Sequence, residues 1–255
     1  MVYQLHAACA CHTGKVRSAN EDNFYFNGRF LPLENQGTAG ATAAKFLLTE
    51  ERCFGVFDGM GGVEFGEEAS YAAVTALKER MALLEQTLMA PRPFLEETVQ
   101  TLNQAVCRRS EELVSGRMGS TAAMLLFIPD EVYVCTLGDS RIYRLRDNRF
   151  QQLSRDDVER FPPDMQITRK PRLTQHLGIF PDLLTLEPYI AKGDVREEDI
   201  YLICSDGVTD MLTNVEITHC LRSHASVRKM AEHLIQASLD RGGRDNITAI
   251  VIKVQ

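Results

Sequence analysis

Four aspartates lie at the ends of strongly apolar segments of the chain. Asp58 follows the run FGVF and begins a glycine-rich stretch that ends at Gly62, and Asp206 follows the run YLICS. Asp139 lies in the string LGDSR, and Asp245 directly precedes the last apolar segment. Each aspartate alone is typical of an ordinary turn or strand end. If they converge, however, four carboxylates repel one another unless divalent cations neutralise them.

The ligand type indicates which ions such a cluster would bind. Carboxylate and carbonyl oxygens are hard ligands, and no histidine or cysteine accompanies the four aspartates in a shared ligand pattern, so the set favours Mg²⁺ or Mn²⁺ over zinc or copper. Glycines such as Gly59 let the backbone approach a ligand closely and expose a carbonyl oxygen to it. The sequence therefore predicts a site for hard divalent cations at strand ends.

A charged segment near the N-terminus is a candidate extension of this site. The string VRSANED contains Arg17, Glu21 and Asp22. An arginine fork matches the geometry of a phosphate dianion, and the two carboxylates could order water on a metal ion. Taken alone, the stretch is more typical of a solvated loop.

A zinc site is the alternative at the N-terminus, with His6, Cys9, Cys11 and His12 as its candidate ligands. Two cysteines separated by one residue fit one face of a strand better than a zinc knuckle. The seven cysteines are scattered and most lie in apolar runs. We therefore expect buried thiols, without disulfides and without a cysteine nucleophile.

Hydrophobic periodicity predicts the elements that must position these residues. The first half of the chain is predicted to contain strands at 2–11, Asn23–Phe30 and Arg52–Phe57, then helices at Gly66–Met89 and Phe94–Leu113 that pack antiparallel. Within a possible excursion at 31–51, the alanine-rich segment Ala39–Leu48 is compatible with a short helix.

The second half is predicted to begin with a meander of three strands, Thr121–Ile128, Glu131–Leu137 and Arg141–Arg146. A strand at Ile200–Cys204, a helix at Val227–Asp240 and a strand at Ile247–Val254 follow. Strands in blocks between helices argue against a doubly wound parallel sheet and favour antiparallel sheets flanked by helices. Because no linker or repeat divides the chain, we expect residues 1–255 to form a single domain.

Bulk composition excludes several classes of protein. The 255 residues are 44% hydrophobic and 25% charged, as in ordinary globular proteins, and the formal net charge is −7. An acidic chain without a basic stripe is not expected to bind nucleic acid. No window approaches the ~18 apolar residues of a membrane span, and the N-terminus lacks a signal-peptide pattern. We expect a cytoplasmic monomer that does not bind membranes.

Seven strings in order resemble one known family. VRSANED, FDGMGG, GST (Gly119–Thr121), GDSR, LTQHLG (Leu173–Gly178), SDG and DNIT resemble the motifs of the metal-dependent protein phosphatases of the 2C type, in particular their bacterial branch. The resemblance covers the chain from about Gly14 to the C-terminus. It implies an α+β fold, a four-layer α-β-β-α sandwich of two antiparallel sheets flanked by antiparallel helix pairs, with a binuclear metal centre at one end.

The resemblance also implies a role for each site residue. Asp58 would bridge two Mg²⁺ or Mn²⁺ ions, and the Gly59 carbonyl would help to hold one of them. The remaining metal ligands would be Asp206 and Asp245 at the first ion, Glu21 and Asp22 at the second ion partly through water, and Asp139, with Asp206, at a third and weaker ion. Arg17 would bind the substrate phosphate, so that the catalytic set is Arg17, Asp58 and Asp206.

The implied activity is hydrolysis of phosphoserine and phosphothreonine in proteins by a water that bridges two ions, opposing a cognate serine/threonine kinase. Two alternatives from other classes are a pseudophosphatase that binds without turnover, which loss of metal ligands would mark, and a metal-dependent nuclease, which the acidic balance disfavours. The chain departs from the family at His12 and Val63, and its flap at about 155–172 is short. His176 is a candidate general acid, although a packing role fits it better.

Overall fold

The computed structural model describes residues 2–61, 65–84, 89–113, 118–162, 169–223 and 226–255. The strands are β1 (Gln4–His12), β2 (Asp22–Phe26), β3 (Thr42–Leu47), β4 (Arg52–Gly61), β5 (Met118–Ser120), β6 (Ala122–Ile128), β7 (Glu131–Leu137), β8 (Arg141–Arg146), β9 (Arg149–Gln152), β10 (Tyr189–Asp194), β11 (Ile200–Cys204) and β12 (Ile247–Val254). The helices are α1 (Gly66–Leu84), α2 (Pro91–Glu112), α3 (Asp206–Thr209), α4 (Asn214–Arg222) and α5 (Val227–Asp240).

These strands form two antiparallel six-stranded sheets. The first sheet has the order β3-β1-β12-β11-β8-β9, and the second has the order β10-β7-β6-β4-β2 with β5 paired to β4. Central strands such as β6, with the sequence AAMLLFI, are buried along nearly their whole length, because both faces of the sheet are covered. The predicted α+β sandwich is therefore confirmed.

Three apolar layers hold the sandwich together. Between the sheets, Phe54 makes edge-on ring contacts with Phe26 and Phe127, and Phe127 contacts Tyr201 of the other sheet with ring centroids 5.3 Å apart. Helices α1 and α2 pack on the outer face of the second sheet. Helices α4 and α5 pack on the outer face of the first sheet. Each sheet thus buries both of its faces.

The prediction of a short helix in Ala39–Leu48 was wrong. Residues Thr42–Leu47 form β3, an edge strand that pairs with β1 from Gln4↔Leu47 to Cys9↔Thr42. The helical preference of alanine amounts to a few tenths of a kcal/mol per residue, ~0.5 at most here, whereas pairing satisfies the backbone and brings Phe46 against the core between the sheets. The possible excursion at 31–51 therefore contributes a strand to the first sheet.

The predicted meander was also wrong in its third strand. β6 and β7 pair in the second sheet, but β8 pairs with β11 in the first sheet. The chain crosses between the sheets at residues 138–140, where Gly138 has a φ of +99°, a conformation that favours glycine. The crossover positions Asp139 at the end of the sandwich.

Several boundaries differ from the predictions. The strand predicted at Asn23–Phe30 ends at Phe26, because Asn27 and Gly28 have positive φ angles. The strand predicted at Arg52–Phe57 continues through Asp58 to Gly61, where its last three residues pair with β5. Gly62 and Val63 lie outside the described residues.

The predicted helix pair was found, with shifted ends. α2 begins at Pro91, three residues earlier than predicted, with proline at its first position. The described part of α1 ends at Leu84, and the predicted continuation over 85–88 falls outside the described residues, as does 163–168 of the predicted flap. Among the described helices, none is long and apolar enough to cross a membrane.

Candidate metal centre

Both sheets deliver carboxylates to the same end of the sandwich. In the second sheet, Asp22 at the start of β2 is the register partner of Asp58 in β4. From the first sheet, Asp206 begins α3 and is separated from β11 only by Ser205, and Asp245 lies two residues before β12. Asp139 lies on the crossover from β7 to β8. The five aspartates predicted from the sequence therefore belong to one cluster.

The electrostatics of Asp58 show how closely the cluster converges. Burial raises the pKa of Asp58 well above its usual value, and the negative charges of Asp206, Asp22, Asp139 and Asp245 raise it further. Burial and the charge of Asp206 likewise raise the pKa of Asp139 to about 6. Such mutual elevation is the signature of carboxylates gathered without enough positive charge.

Asp22 is the most deeply buried member, with a relative exposure of 1%. Its Oδ2 accepts hydrogen bonds from Ser205 Oγ at 2.7 Å and from Thr248 Oγ1 at 2.6 Å, which tie β2 to the first sheet. Its Oδ1 has no hydrogen-bond partner in the described part of the chain. Burial raises the pKa of Asp22 to about 7 despite the two hydrogen bonds. A buried carboxylate oxygen without a partner is an available ligand.

Backbone contacts fix Asp58 in place. The Asp58 N–H donates to Thr121 Oγ1 at 3.0 Å, and the Thr121 N–H donates to the Asp58 carbonyl at 2.9 Å. Thr121 Oγ1 also lies 2.7 Å from Ser140 Oγ, next to Asp139. Thr121 and Ser140, from the GST and GDSR strings, therefore link two of the candidate ligands.

Gly59 lies where only glycine fits. A Cβ atom there would come within 2.1 Å of the Gly66 carbonyl oxygen and 2.4 Å of the Glu21 carbonyl oxygen, and the Gly59 N–H donates to the latter at 3.1 Å. A Cβ atom on Gly66 would lie 2.7 Å from the Glu21 carboxyl carbon, so this carboxylate lies at the N-terminus of α1. Burial raises the pKa of Glu21, although Arg17 opposes the shift.

Asn246 is a positioning residue that the sequence interpretation missed. Its Nδ2 donates to the carbonyls of Thr13 at 2.7 Å and Ala19 at 2.9 Å, and its Oδ1 accepts from the Glu21 N–H at 2.8 Å. One buried side chain thus anchors the segment that carries Arg17, Glu21 and Asp22. The available signal was its position beside Asp245 in the DNIT string.

Two side-chain cations contact the aspartates. Arg17 Nη2 lies 2.8 Å from Asp245 Oδ2. Lys170 Nζ contacts the Asp206 carboxylate and lies 2.9 Å from Asp210 Oδ2 and 3.7 Å from Asp139 Oδ2. Although burial acts against it, contact with Asp206 raises the pKa of Lys170. Lys170 and Asp210 were not predicted from the sequence, because neither lies in a recognisable motif.

The residues present fit a pair of hard divalent cations. The candidate ligand atoms are all oxygens, and Gly59 permits close approach of the backbone to an ion. One oxygen of Asp22 has no hydrogen-bond partner, and the carboxylates raise one another's pKa values. Within the described ranges, no three acidic, histidine or cysteine side chains are arranged to hold an ion in their present positions. Instead, Arg17 and Lys170 supply positive charge to Asp245 and Asp206.

The remaining candidates, His176 and the cysteines, have packing roles. His176 Nδ1 lies 2.8 Å from the Leu177 carbonyl oxygen, and burial lowers the pKa of its ring. A Cβ atom on Gly119 would come within 2.6 Å of that nitrogen, so the imidazole packs on β5. Cys9 and Cys11 are buried within β1, which confirms the strand interpretation there. All seven cysteines are free and buried.

Comparison with known proteins identifies the arrangement. Residues 41–248 match the family described as "Protein phosphatase 2C". The serine/threonine phosphatase stp of Listeria monocytogenes serotype 4b is 29% identical over 264 residues, which cover 98% of this chain and 96% of that protein. The serine/threonine protein phosphatase PstP of Mycobacterium tuberculosis is 30% identical over 98% of this chain and 45% of its own length.

Solved structures agree with this assignment. The catalytic domain of the serine/threonine protein phosphatase PstP, crystallised in complex with two manganese ions, superposes with a TM-score of 0.76 at 28% identity and covers 99% of both chains. The serine/threonine phosphatase of S. agalactiae has the same fold, with a TM-score of 0.81 at 23% identity over 98% of this chain and 100% of that one. The chain therefore belongs to the protein phosphatase 2C family and is a serine/threonine protein phosphatase of the bacterial type.

Proposed function

We propose that the chain hydrolyses phosphoserine and phosphothreonine in proteins at a centre for two Mn²⁺ or Mg²⁺ ions. The observation that carries the proposal is the convergence of Asp22, Asp58, Asp139, Asp206 and Asp245 from both sheets, with an excess of negative charge that raises the pKa of Asp58. The related PstP catalytic domain was crystallised with two manganese ions, which supports a centre for two metal ions in this chain.

The ligand assignment follows the roles implied by the family. Asp58 would be shared by the two ions, the Gly59 carbonyl, Asp206 and Asp245 would help to hold the first, and Glu21 and Asp22 would help to hold the second in part through water. Asp139, together with Asp206, would hold a third and weaker ion. The chemistry that two such ions would supply is activation of a water molecule as the nucleophile and neutralisation of charge on the phosphoryl oxygens.

The chain's own groups then perform binding and orientation. Arg17 lies at the rim, with half of its side chain exposed, so its guanidinium can turn from Asp245 to two oxygens of the substrate phosphate. Asn246 holds the segment that carries Arg17 in place through its hydrogen bonds with Thr13 and Glu21. Ser205 and Thr248 hold Asp22 through one oxygen. None of these roles needs a covalent phosphoenzyme, in agreement with the buried cysteines.

The substrates are proposed to be phosphorylated proteins and the opposing enzyme a serine/threonine kinase, with residues 1–255 acting as one monomeric phosphatase domain. No binding of nucleic acid or membrane is proposed.

The deciding experiment compares turnover with and without metal. We expect the protein to hydrolyse an aryl phosphate and a phosphothreonine peptide in Mn²⁺, and excess chelator to abolish both activities. Asp206→Asn should abolish them as well, whereas Asp210→Asn, which changes a neighbouring carboxylate outside the assigned ligands, should retain most turnover. Full activity in chelator would refute the metal mechanism. Tight Mn²⁺ binding in calorimetry without turnover on any phosphopeptide would instead indicate a pseudophosphatase.

A further inference from the structure

The two sheets leave an open margin between β9 and β10. In the described part of the chain, β9 ends the first sheet and β10 ends the second. Two adjoining cavities of ≈ 300 and ≈ 360 Å³ lie along this margin and share Arg144 and Gln151 in their walls. None of the metal-centre residues lines either cavity.

The smaller cavity is basic, although the chain carries a formal charge of −7. We call it the arginine pocket, because its wall contains Arg144, Arg146, Arg149 and Arg196 against one acidic side chain, Asp147. Arg144 and Arg146 alternate along β8 with Tyr143 and Leu145, which pack beneath the helices of the first sheet. Both arginines therefore point to the opposite face of the sheet, toward the margin.

Two of the four guanidinium groups are neutralised by aspartates. Arg146 donates to both carboxylate oxygens of the buried Asp199 at 2.6 Å and to Asp194 Oδ1 at 2.8 Å. Arg196 Nε donates to Asp194 Oδ2 at 2.6 Å. These contacts form an ion-pair network at the end of β8.

The other two guanidinium groups retain unused donors. Arg144 Nη1 lies 3.8 Å from Asp194 Oδ1, which is too far for a hydrogen bond, and its side chain is only 18% exposed. Within the described ranges, the exposed Arg149 side chain makes no hydrogen bond or ion pair. Two planar guanidinium groups beside one cavity are suited to bind an anion with several oxygens, such as a phosphoryl group.

The larger cavity leads from the arginine pocket toward the metal centre. Its wall includes five apolar residues, Val132, Val134, Leu153, Tyr189 and Ala191. Tyr189 is the register partner of Thr136, near the end of β7, from which the chain continues to Asp139. Arg144 is five residues from Asp139, or roughly 17 Å of extended chain at ~3.3 Å per residue.

We propose that the arginine pocket binds a second phosphoryl group of a multiply phosphorylated protein substrate. The apolar cavity holds the side chains between that group and the residue that is dephosphorylated at the metal centre. The proposal rests on the proposed function, because only a phosphoprotein phosphatase meets such substrates. It assigns the choice among substrates to a surface remote from the metals.

Binding without turnover tests the pocket by itself. A fluorescently labelled peptide that contains one phosphoserine followed by apolar residues is titrated with the protein in the presence of chelator, and binding is measured by anisotropy. The control is the same peptide with an unphosphorylated serine. We expect the phosphopeptide to bind about tenfold more tightly, as for one charge-assisted contact, and Arg149→Glu or Arg149→Gln to remove that difference. Arg108→Glu, at an exposed position on α2, is the matched control and should change nothing.

Three results would overturn the proposal. They are equal affinity for the two peptides, unchanged affinity in Arg149→Glu, and displacement of the phosphopeptide by an equal concentration of inorganic phosphate, which would identify a site for free phosphate only. Because Arg149 is exposed, its variants should have the melting temperature of the wild type.

Kinetics separate this proposal from the function on which it rests. A second phosphoserine about five residues from the phosphothreonine, tested on either side, should lower KM about fivefold in the wild type without changing kcat. That gain should vanish in Arg149→Glu, whose rate on an aryl phosphate stays normal. An unchanged KM would refute the accessory site. Absence of all turnover in Mn²⁺ would refute the proposed function, and the chelator titration would still decide whether the pocket binds phosphate.

Discussion

At the scale of single residues, Gly59 is the position where the site tolerates least change. Gly59→Ala places a Cβ atom 2.1 Å from the Gly66 carbonyl oxygen and 2.4 Å from that of Glu21. Both obstacles are backbone, so either β4 or α1 must shift. We expect a loss of at least ~1 kcal/mol in unfolding free energy and a rate on aryl phosphate lowered at least about 100-fold.

Denaturant unfolding and steady-state kinetics check this prediction. Gly40→Ala is the matched control, because a Cβ atom there meets no neighbour within 4 Å. Wild-type kinetics in Gly59→Ala would mean that the close approach to Glu21 and Gly66 has no catalytic role.

Lys170 contacts carboxylates that we propose as metal ligands, so it should compete with a divalent ion for them. It contacts Asp206 and lies 3.7 Å from Asp139, so removing its charge should make this part of the cluster more attractive to cations. We predict that Lys170→Gln binds Mn²⁺ about tenfold more tightly at the weakest site. Calorimetric titration measures the change, and Lys192→Gln, whose partner Glu131 lies on β7, is the control. Weaker binding in Lys170→Gln would contradict the prediction.

Protonation of His176 should make the unfolding free energy depend on pH. Burial lowers its pKa in the folded protein below the ordinary value of 6.5. The unfolded chain therefore binds more protons between the two pKa values, and the contribution of His176 to the unfolding free energy falls as pH decreases below about 6.5. Unfolding curves of wild type and His176→Gln between pH 7.5 and 5, done in chelator, should converge as the pH falls. A parallel decline in the two proteins would exclude this origin.

At the scale of elements, α4 depends on its N-terminal cap. Thr213 Oγ1 accepts from the Glu216 N–H, and the Glu216 carboxylate accepts from the Thr213 N–H at 2.9 Å, a reciprocal capping box. We predict that Thr213→Ala lowers the unfolding free energy by about 1 kcal/mol. Thr218→Ala, at a half-buried position within the helix, should cost less than half as much. Equal effects in denaturant unfolding would show that the cap is dispensable.

The elements also show how far the sequence could be interpreted. Long periodic segments such as α5 and β12 were predicted at their observed bounds, because each buries one regular set of apolar residues. The capping signature Thr213-x-x-Glu216 was present in the sequence, yet α4 was not predicted. β3 was mistaken for helix because its pairing with β1 connects residues far apart in sequence. Local preference does not contain that information.

The candidate site was more predictable than the fold that surrounds it. The aspartates lie in short strings whose order is diagnostic, so all seven predicted metal-site residues were found near one end of the sandwich. Asn246, Lys170 and Asp210 were missed, because their roles arise from contacts across long sequence separations. Their side chains are common in loops, and only the folded chain shows what they contact.

At the scale of the whole molecule, the acidic cluster couples metal binding to stability. In the absence of cations, charge repulsion among Asp58, Asp206, Asp22, Asp139 and Asp245 opposes folding. Ions that bind only the folded state stabilise it by about 2.7 kcal/mol at 100 times their Kd. We therefore predict that saturating Mn²⁺ raises the melting temperature by several degrees, roughly 5 °C.

The same reasoning predicts an inverse effect of removing a charge. In chelator, Asp58→Asn should melt above the wild type, because it relieves repulsion within the cluster, but Mn²⁺ should no longer raise its melting temperature by as much. Differential scanning fluorimetry with and without Mn²⁺ measures both effects. A lower melting temperature for Asp58→Asn in chelator would show that repulsion is not the dominant cost of the cluster.

The ring contact between Phe127 and Tyr201 joins the two sheets whose ends carry the carboxylates. Neither sheet contains a full ligand set, so the separation between Asp58 and Asp206 is inherited from how the facing layers interlock along their length. We therefore expect a substitution at Phe127 or Tyr201 to change the affinity for divalent ions as well as the stability of the protein. A change at one of these interior rings and a change at a candidate ligand should accordingly have effects on ion affinity that do not simply add.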